Sequence, residues 1–371
     1  MLLQSLELKD YRNYQAFSHD FSPSLNIFQG KNAQGKTNLI EAIYYLSIGR
    51  SYRPVKEDQL VRWEQKSFLI SGKILNRLGV LSLETAFSRL TKPAKQIYIG
   101  GLKAQKPADM LGNLNSVLFA PEDLSMIKGS PQERRNFLDY DISQVSTEYF
   151  QELHKYRRLL AQRNHLLKQI HFGRRDGANL SLWDEQLLAS ASQIVYKRLQ
   201  ALEKLNPLMR LTQRKLTGGV ENLDIKYFLN KRRELKISDD IPGALKEVQR
   251  DVLQEETRQG VTLWGPHRDD LSIVVNGMDL KLYGSQGQHR TAVLALKLSE
   301  LEFFRGESGE YPILLLDDVM SELDEWRRNA LIQFIQSKEI QCFITTTDSI
   351  GVLGKYEKEI RTYQIQAGQI K

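Results

Sequence analysis

The order of apolar and polar positions predicts α/β structure at both ends of the chain. Leu25-Asn26-Ile27-Phe28 reads as a short buried strand, and residues 38–46 have apolar positions at helical spacing. Residues 67–75 and 79–87 alternate apolar and polar positions on either side of a short turn, which predicts a hairpin. The closing segment alternates predicted helices and strands over residues 289–303, 313–316, 325–336 and 342–345.

The middle of the chain has the pattern of long helices. Ser130 precedes a proline and stands three residues before Glu133, which is the arrangement of a capping box at a helix start. Two apolar stripes follow at three- and four-residue steps, over residues 153–170 and 187–205, and Arg163 interrupts the first. Gly173 and Gly177 lie between the stripes and predict a turn joining two helices. A strand is predicted again at residues 271–275, where Asn276-Gly277 signals a hairpin.

These elements predict an α/β fold in which one lobe is split in sequence. We expect residues 1–112 and 258–371 to form this lobe, and residues 113–257 to form a mainly helical, basic lobe inserted between its halves. At 371 residues and 41% hydrophobic content the chain can bury a sizeable core.

Composition narrows the class of protein. No apolar run approaches the roughly 18–20 residues that span a bilayer, and residues 1–10 mix charged and apolar positions, unlike a signal peptide. The single cysteine, Cys342, excludes an internal disulfide and is expected to be a buried thiol. We therefore expect a soluble cytoplasmic protein.

Positive charge is concentrated in the middle of the chain. The net charge is +7, whereas residues 151–236 alone carry 18 Lys and Arg against 8 Asp and Glu. This distribution favours an anionic partner, although a solvated helical surface would have the same composition.

The strongest chemical signal is a P-loop between the first buried strand and the helix that follows. Residues 30–37 read Gly-Lys-Asn-Ala-Gln-Gly-Lys-Thr, which fits G-x-x-x-x-G-K-[ST]. Glycines let backbone N–H groups approach phosphate oxygens at the positive end of a helix. Lys36 is expected to reach the β- and γ-phosphates of ATP, and Thr37 to offer its hydroxyl to Mg²⁺.

Two carboxylates follow the strand predicted at residues 313–316. Asp317 ends that strand, where a carboxylate can orient Mg²⁺ together with Thr37, and Asp318 is placed to polarise the attacking water. An Asp in place of a longer Glu predicts slow turnover. Ahead of this strand, Ser285-Gln286-Gly287-Gln288 opens a helix and offers a hydroxyl, an unhindered backbone and a helix N-terminus to an anion.

Taken together, these segments resemble the RecF family of ABC-type ATPases, which are related to SMC heads. The resemblance rests on residues 283–291, 314–319 and 321–324. Further matches at residues 11–14, 119–124, 162–164 and 265–271 extend it over essentially the whole chain. It implies that Ser285, Gly287 and Gln288 form the ABC signature, which contacts the γ-phosphate held by a second subunit. ATP would then join a head-to-head homodimer, with residues 321–324 as the D-loop at its interface.

The resemblance completes the expected set of site residues. Catalytic roles are assigned to Lys36, Asp317, Asp318 and Ser285, and metal contacts to Thr37 and Asp317. Nucleotide contacts are assigned to Gly30, Lys31, Asn32, Ala33, Gln34, Gly35, Lys36, Thr37, Asn38, Ser285, Gly287, Gln288 and Asp324. Thr345-Thr346-Thr347-Asp348 stands where ABC ATPases have a switch histidine, so a hydroxyl or carboxylate must replace it. His267 and His289 are expected to make structural hydrogen bonds.

The resemblance also implies partners. Members of this family bind double-stranded DNA in an ATP-dependent way near single-strand gaps and help RecO and RecR load RecA. A basic surface without a base-reading motif agrees with sequence-independent phosphate contacts. The candidate DNA contacts are Arg50, Arg53, Arg134, Arg135, Arg157, Arg158, Arg174 and Arg175.

Two alternatives remain at this point. The chain could be the ATPase subunit of another ABC-type machine, such as a transporter, although transporter heads place the P-loop and the Asp strand closer together. It could also be a nucleotide-gated DNA clamp with negligible hydrolysis, because nucleotide binding needs Lys36 and Thr37 but turnover also needs Asp318 and the partner subunit's Ser285.

Overall fold

The structure, a computed structural model, describes residues 1–173, 180–347 and 359–371. It divides into two compact units. Unit 1 comprises Met1–Asp123 and Arg290–Lys371, and unit 2 comprises Leu124–His289. The division at 289/290 lies later than the predicted 257/258, because the strand Asp270–Val275 pairs with Leu223–Leu229 inside unit 2. The first division, at 123/124, likewise lies later than the predicted 112/113.

One sheet of unit 1 is antiparallel. Within the described residues its strands are β1 (Leu2–Tyr11), β2 (Tyr14–Asp20), β4 (Ser67–Asn76), β5 (Gly79–Ser88), β6 (Lys95–Ile99) and β7 (Leu102–Lys103). They are ordered β2-β1-β4-β5-β6-β7. Leu69 pairs with Ala86 across β4 and β5, so the predicted hairpin is confirmed. Buried and more exposed positions alternate along β4, because one face of the sheet packs on the core.

The second sheet of unit 1 carries the P-loop. Its described strands are β3 (Leu25–Gln29), β8 (Ser116–Phe119), β13 (Ile313–Asp317), β14 (Cys342–Thr346), β15 (Ile360–Gln366) and β16 (Gln369–Ile370). They are ordered β16-β15-β3-β14-β13-β8, and the pairs from β15 to β8 are parallel. The five residues of β13 are all buried, as expected of a parallel strand covered on both faces.

Helices connect these strands in unit 1. The described helices are α1 (Lys36–Ile48), α8 (Gln286–Ser308, in unit 1 from Arg290) and α9 (Glu325–Lys338). Short 3₁₀ turns occur at Glu57–Leu60, Pro107–Met110, Pro121–Leu124 and Val319–Ser321. Helix α1 contacts strands of both sheets and is apolar around most of its surface, so the core of unit 1 surrounds it. Ile40, Ile43 and Phe343 are fully buried in that core.

Unit 2 combines helices with a small sheet. Its described helices are α2 (Ser125–Lys128), α3 (Pro131–Val145), α4 (Thr147–His171), α5 (Leu180–Leu216), α6 (Ile241–Gln259) and α7 (Leu280–Tyr283). Its described strands are β9 (Leu223–Leu229), β10 (Arg233–Leu235), β11 (Asp270–Val275) and β12 (Met278–Asp279). The capping box of Ser130 and Glu133 and the hairpin at Asn276-Gly277 are both confirmed. Helix α5 continues through Pro207, and Gly177 lies outside the described residues.

The arginine that interrupts the first apolar stripe is fully buried in unit 2. Arg163 donates to Glu256 at 3.0 and 2.7 Å and to Asp184 at 2.7 Å, and it also donates to Thr262 Oγ1. Glu256 is itself fully buried. A buried charge is tolerated when it is paired and hydrogen-bonded, and here the network ties α4 to α5 and α6.

Candidate nucleotide-binding site

The P-loop has the predicted strand–loop–helix setting. Strand β3 ends at Gln29 and helix α1 begins at Lys36. Gly35 has φ 113°, and a Cβ at this position would stand 2.6 Å from Asn13 Nδ2 and 2.9 Å from the Tyr14 hydroxyl. Both its conformation and its surroundings therefore require glycine at position 35.

Neighbouring segments of unit 1 hold the carbonyl groups of the loop. Asn13 Nδ2 donates to Gln34 O at 3.1 Å, and the Tyr14 hydroxyl donates to Gly35 O at 3.0 Å. From the turn between β15 and β16, Gly368 N donates to Gln34 O at 3.0 Å and Ala367 N donates to Gln34 Oε1 at 2.8 Å. These donors fix the loop in place before a ligand arrives.

Lys36 is folded back onto the loop. Its Nζ donates to Gly30 O at 2.6 Å and to Lys31 O at 2.9 Å, and the residue is 7% exposed. Burial lowers the pKa of Lys36, while the carboxylates of Asp318 and Asp317 oppose that shift. The ammonium group is thus held by the two loop carbonyls, and phosphate oxygens can replace these partners.

Helix α1 is anchored by a buried carboxylate. Glu41 is fully buried and accepts from Arg12 Nε at 2.8 Å, Arg12 Nη2 at 2.7 Å and Ser51 Oγ at 2.5 Å. Burial by itself raises the pKa of Glu41, but the hydrogen bonds from Arg12 and Ser51 outweigh it and the pKa lies below its usual value. Arg12 belongs to residues 11–14, one of the segments on which the resemblance noted above rests.

Asp317 stands at the end of β13, two strands from the P-loop strand. Asp317 pairs with Thr345 on β14, and Thr345 pairs with Phe28 on β3. Thr345 Oγ1 donates to Asp317 Oδ1 at 2.8 Å, and the Tyr52 hydroxyl donates to Asp317 Oδ2 at 2.7 Å. Asp318 follows with φ 55°, and its N–H donates to Thr345 Oγ1 at 2.8 Å.

The donor set fits Mg²⁺ held jointly by protein and nucleotide. Thr37 lies in the first turn of α1, and Asp317 is 6% exposed at the end of its strand. In the described part of the chain, no three His, Cys, Asp or Glu side chains cluster as a metal site. Mg²⁺ at triphosphate sites commonly takes one or two protein oxygens and completes its shell with phosphates and water. Thr37 and Asp317 would supply the protein oxygens.

The predicted signature residues belong to unit 2. Ser285 N donates to Gln288 Oε1 at 2.9 Å and Gln288 N donates to Ser285 Oγ at 3.2 Å, which is a reciprocal cap at the start of α8. Gln288 Nε2 also donates to Glu221 Oε1 at 2.9 Å. Ser285 and Gly287 are exposed. They present a hydroxyl and a helix N-terminus at the surface of unit 2.

The predicted D-loop follows Asp318 in unit 1. Ser321 Oγ donates to Asp318 O at 2.8 Å, and Asp324 accepts from Arg327 N at 2.9 Å at the start of α9. Arg327 Nη2 donates to Thr291 Oγ1 at 2.7 Å, which ties the segment after the D-loop to α8. Asp324 is thus placed as a helix cap.

Both histidines make structural hydrogen bonds. His267 Nδ1 lies 2.6 Å from the Tyr156 hydroxyl, and His289 Nε2 lies 2.8 Å from Leu280 O. Burial lowers the pKa of His267 to about 4, so its ring is neutral at pH 7.

The candidate DNA contacts differ in their surroundings. Arg134 and Arg135 are buried: Arg134 forks onto Asp270 at 2.9 and 3.0 Å, and Arg135 donates to Asp269 O. Arg53 is partly buried against α1. Arg157 and Arg158 are exposed on α4, Arg50 is half-buried, and Arg174 and Arg175 lie outside the described residues.

Sequence reasoning missed two residues that contact the carboxylate of Asp317. Tyr52 lies 265 positions from Asp317 in the chain, and Thr345 was considered only as one of several substitutes for the switch histidine. Strand pairing brings Thr345 to Asp317, but nothing in the local pattern marks Tyr52.

Comparisons with known proteins agree with this geometry. Residues 2–371 match the model of the RecF/RecN/SMC N-terminal domain family. The chain is 41% identical over 374 residues to the DNA replication and repair protein RecF of Bacillus pumilus, and 40% identical over 376 residues to that of Bacillus subtilis. Each of these alignments covers 100% of both proteins.

Solved structures give the same result. The structure of the recombination mediator protein RecF-ATPrS in the RecFOR pathway superposes with a TM-score of 0.90 at 34% identity, covering 100% of this chain and 97% of that one. A Pyrococcus furiosus Smc head bound to the C-terminal domain of ScpA has a TM-score of 0.57 at 16% identity, covering 100% and 95%, and shares the fold. No described helix has both the length and the apolar character needed to cross a membrane.

Proposed function

The chain belongs to the RecF family of DNA replication and repair proteins, and we propose that it is an ATP-driven DNA-binding dimer acting in recombinational gap repair. Its ABC-type ATPase fold is that of SMC heads. Solved members of the family have been described with ATP and with ATPrS, which supports ATP as the ligand of the P-loop.

One observation carries the proposal. A braced P-loop and the carboxylate of Asp317 lie at the carboxyl ends of parallel strands in one sheet, and the ammonium group of Lys36 is held on the loop itself. This arrangement matches the requirements of a triphosphate with its metal. When bound, Mg²⁺ would neutralise charge on the phosphates, with Thr37 and Asp317 as its protein ligands.

The exposed signature supports an ATP-dependent homodimer. Ser285 and Gly287 lie at the N-terminus of α8, where an anion is favoured, and a γ-phosphate on a second copy of the chain is an anion of the right kind. Asp318 is the proposed water-polarising carboxylate, and its short side chain favours slow hydrolysis, which would release the dimer. A clamp that barely hydrolyses ATP remains the second candidate for the same reason.

The proposed DNA surface lies on the basic part of unit 2. Arg157 and Arg158 stand exposed on the same helix, in a stretch of chain with a strong excess of Lys and Arg. Such a surface suits phosphate contacts on double-stranded DNA at a gap junction, without base readout. By family, the further partners proposed are RecR, and through it RecO and RecA. Because these partners and DNA are cytoplasmic in bacteria, we propose the cytoplasm as its location.

The test measures duplex DNA affinity with and without ATP and Mg²⁺. ATP should tighten DNA binding by the wild type, and Lys36→Met should remove that effect because the ammonium group for the phosphates is lost. Lys66→Met, an exposed lysine in unit 1, is the matched control and should behave as wild type. DNA binding by the wild type that ignores ATP would contradict the proposal.

A further inference from the structure

Tyr52 contacts the carboxylate that the metal needs. Its hydroxyl donates to Asp317 Oδ2 at 2.7 Å, while Thr345 donates to the other oxygen. The Tyr52 ring packs edge-on against Tyr44, with ring centroids 5.5 Å apart and an interplanar angle of 82°. The ring is therefore fixed, and the phenol has one well-defined acceptor.

Metal binding at Asp317 changes this contact. A carboxylate oxygen can accept a phenol and also face a cation, but both draw on the same lone pairs. A divalent charge nearby also weakens the oxygen as an acceptor. The Tyr52–Asp317 hydrogen bond therefore differs in strength between the empty and the loaded site, which is the differential interaction that coupling requires.

The residues on either side of Tyr52 are anchored to the P-loop helix. Ser51 Oγ donates to Glu41 and accepts from Arg53 N at 2.9 Å. Arg53 Nη1 donates to Asn38 Oδ1 at 3.3 Å, and its guanidinium lies 5.6 Å from the centre of the Tyr52 ring. The Arg53 side chain is 33% exposed. The short loop of residues 51–53 thus contacts both Asp317 and the P-loop helix, and it carries the partly exposed guanidinium of Arg53.

We propose that Tyr52 is a positioning residue that couples nucleotide and metal binding at Asp317 to phosphate binding at Arg53. This inference rests on the proposed function, and it adds a further phosphate contact, Arg53 in unit 1, through which ATP changes DNA affinity. A change at the Tyr52–Asp317 contact alters the loop that holds Arg53. Nucleotide with its metal at Asp317 and DNA phosphate at Arg53 therefore act on the same loop, residues 51–53. Coupling of this kind is reciprocal: DNA must change ATP affinity by the same factor.

The experiment uses the full chain and the variants Tyr52→Phe and Tyr98→Phe. Tyr52→Phe keeps the ring against Tyr44 and removes only the hydroxyl. Tyr98 also donates one hydrogen bond within unit 1, to Gln96 at 2.8 Å, and serves as the matched control. For each protein, the Kd for a fluorescent duplex is measured with and without ATP and Mg²⁺, and the Kd for ATP with and without duplex. Thermal unfolding establishes that each variant is folded.

The readout is the DNA Kd without ATP divided by the DNA Kd with ATP and Mg²⁺. A variant that changes both Kd values by the same factor leaves this ratio unchanged. We expect Tyr52→Phe to reduce the ratio by about tenfold, with the ATP ratio falling equally, and Tyr98→Phe to keep both ratios. A wild-type ratio above one that Tyr52→Phe leaves unchanged overturns the inference but not the proposed function. A wild-type ratio of one overturns both. Complete loss of ATP binding in folded Tyr52→Phe also overturns it, because Tyr52 would then belong to the binding site itself.

Discussion

Thr345 makes two hydrogen bonds that fix the carboxylate of Asp317 and the backbone of Asp318. Its hydroxyl donates to Asp317 Oδ1 at 2.8 Å and accepts the N–H of Asp318 at 2.8 Å. Thr345 is 1% exposed. One hydroxyl on β14 therefore sets the positions of both carboxylate residues at the end of β13.

Replacing Thr345 should distinguish the role of its hydroxyl in positioning Asp317 and Asp318 from the role of its side-chain shape in packing. Thr345→Val preserves the shape but removes the hydroxyl, so the partly buried N–H of Asp318 and a carboxylate oxygen of Asp317 each lose this partner. We expect a loss of about 1–3 kcal/mol in the free energy of unfolding, together with weaker Mg²⁺-dependent ATP binding. Thr345→Ser restores the hydroxyl and should recover most of both. Urea unfolding and nucleotide titration measure the two effects, and equal behaviour of the Val and Ser variants would contradict this role.

The buried pair Arg163–Glu256 should contribute more to the stability of unit 2 than an exposed ion pair on α6, the helix that carries Glu256. Arg163→Met leaves Glu256 buried without its cation, which should cost about 3–5 kcal/mol in the free energy of unfolding. Arg258, which pairs with Glu255 at the surface of α6, is the control, and Arg258→Met should cost far less because water screens an exposed pair. Similar losses measured by urea denaturation for the two variants would show that burial does not decide the outcome.

The neutral state of His267 predicts an acid-sensitive term in stability. Its folded pKa of about 4 lies below the unfolded value of about 6.5, so the unfolded chain binds more protons between these pH values. The stabilisation is complete above pH 6.5 and is lost as the pH falls towards 4, by up to about 3 kcal/mol.

His267→Gln isolates this term. Asp269 titrates in the opposite sense, because burial raises its pKa to about 6, so it favours the folded state as the pH falls through this range. The variant retains Asp269, and the difference in unfolding free energy between wild type and variant should therefore shrink from pH 7 to pH 4.5. A difference that stays constant with pH would contradict the assignment of a low folded pKa to His267.

Asp318→Asn should distinguish a slow ATPase from a clamp that does not hydrolyse. If hydrolysis opens the dimer, removing the carboxylate proposed to polarise water should lengthen the dimer lifetime in ATP, by about tenfold or more. Lifetime is measured by subunit exchange between two fluorescently labelled pools. An unchanged lifetime, with ATP still bound, would favour the clamp.

The sequence predicted the parts of the fold that local pattern determines. The P-loop strand and helix, the hairpin at residues 67–87 and the capping box at Ser130 all follow from short-range spacing and were confirmed. The pairing of β11 with β9 was not predicted, because it joins residues about fifty positions apart and residues 223–229 lie in the range assigned to the mainly helical lobe. Residues 258–289 were consequently assigned to the other lobe.

The site shows the same division. Recognisable sequence motifs include Lys36, Thr37 and Asp317. Tyr52 belongs to no such motif, and only the folding of unit 1 brings it to Asp317. Arg134 and Arg135 show the converse: a basic pair on a helix suggests a surface, but Asp270 and the carbonyl of Asp269 hold both in the interior. Which charges are paired depends on tertiary contacts that composition does not encode.

Sedimentation of the protein alone, with ATP, and with ATP and a gapped duplex, beside the Ser285→Arg variant, tests the central claim most directly. The account predicts that ATP converts wild-type monomer to dimer, that the duplex favours the dimer, and that Ser285→Arg binds ATP but stays monomeric. A wild type that binds ATP and DNA without dimerising would contradict it, because Ser285 would then have no γ-phosphate on a second subunit to meet.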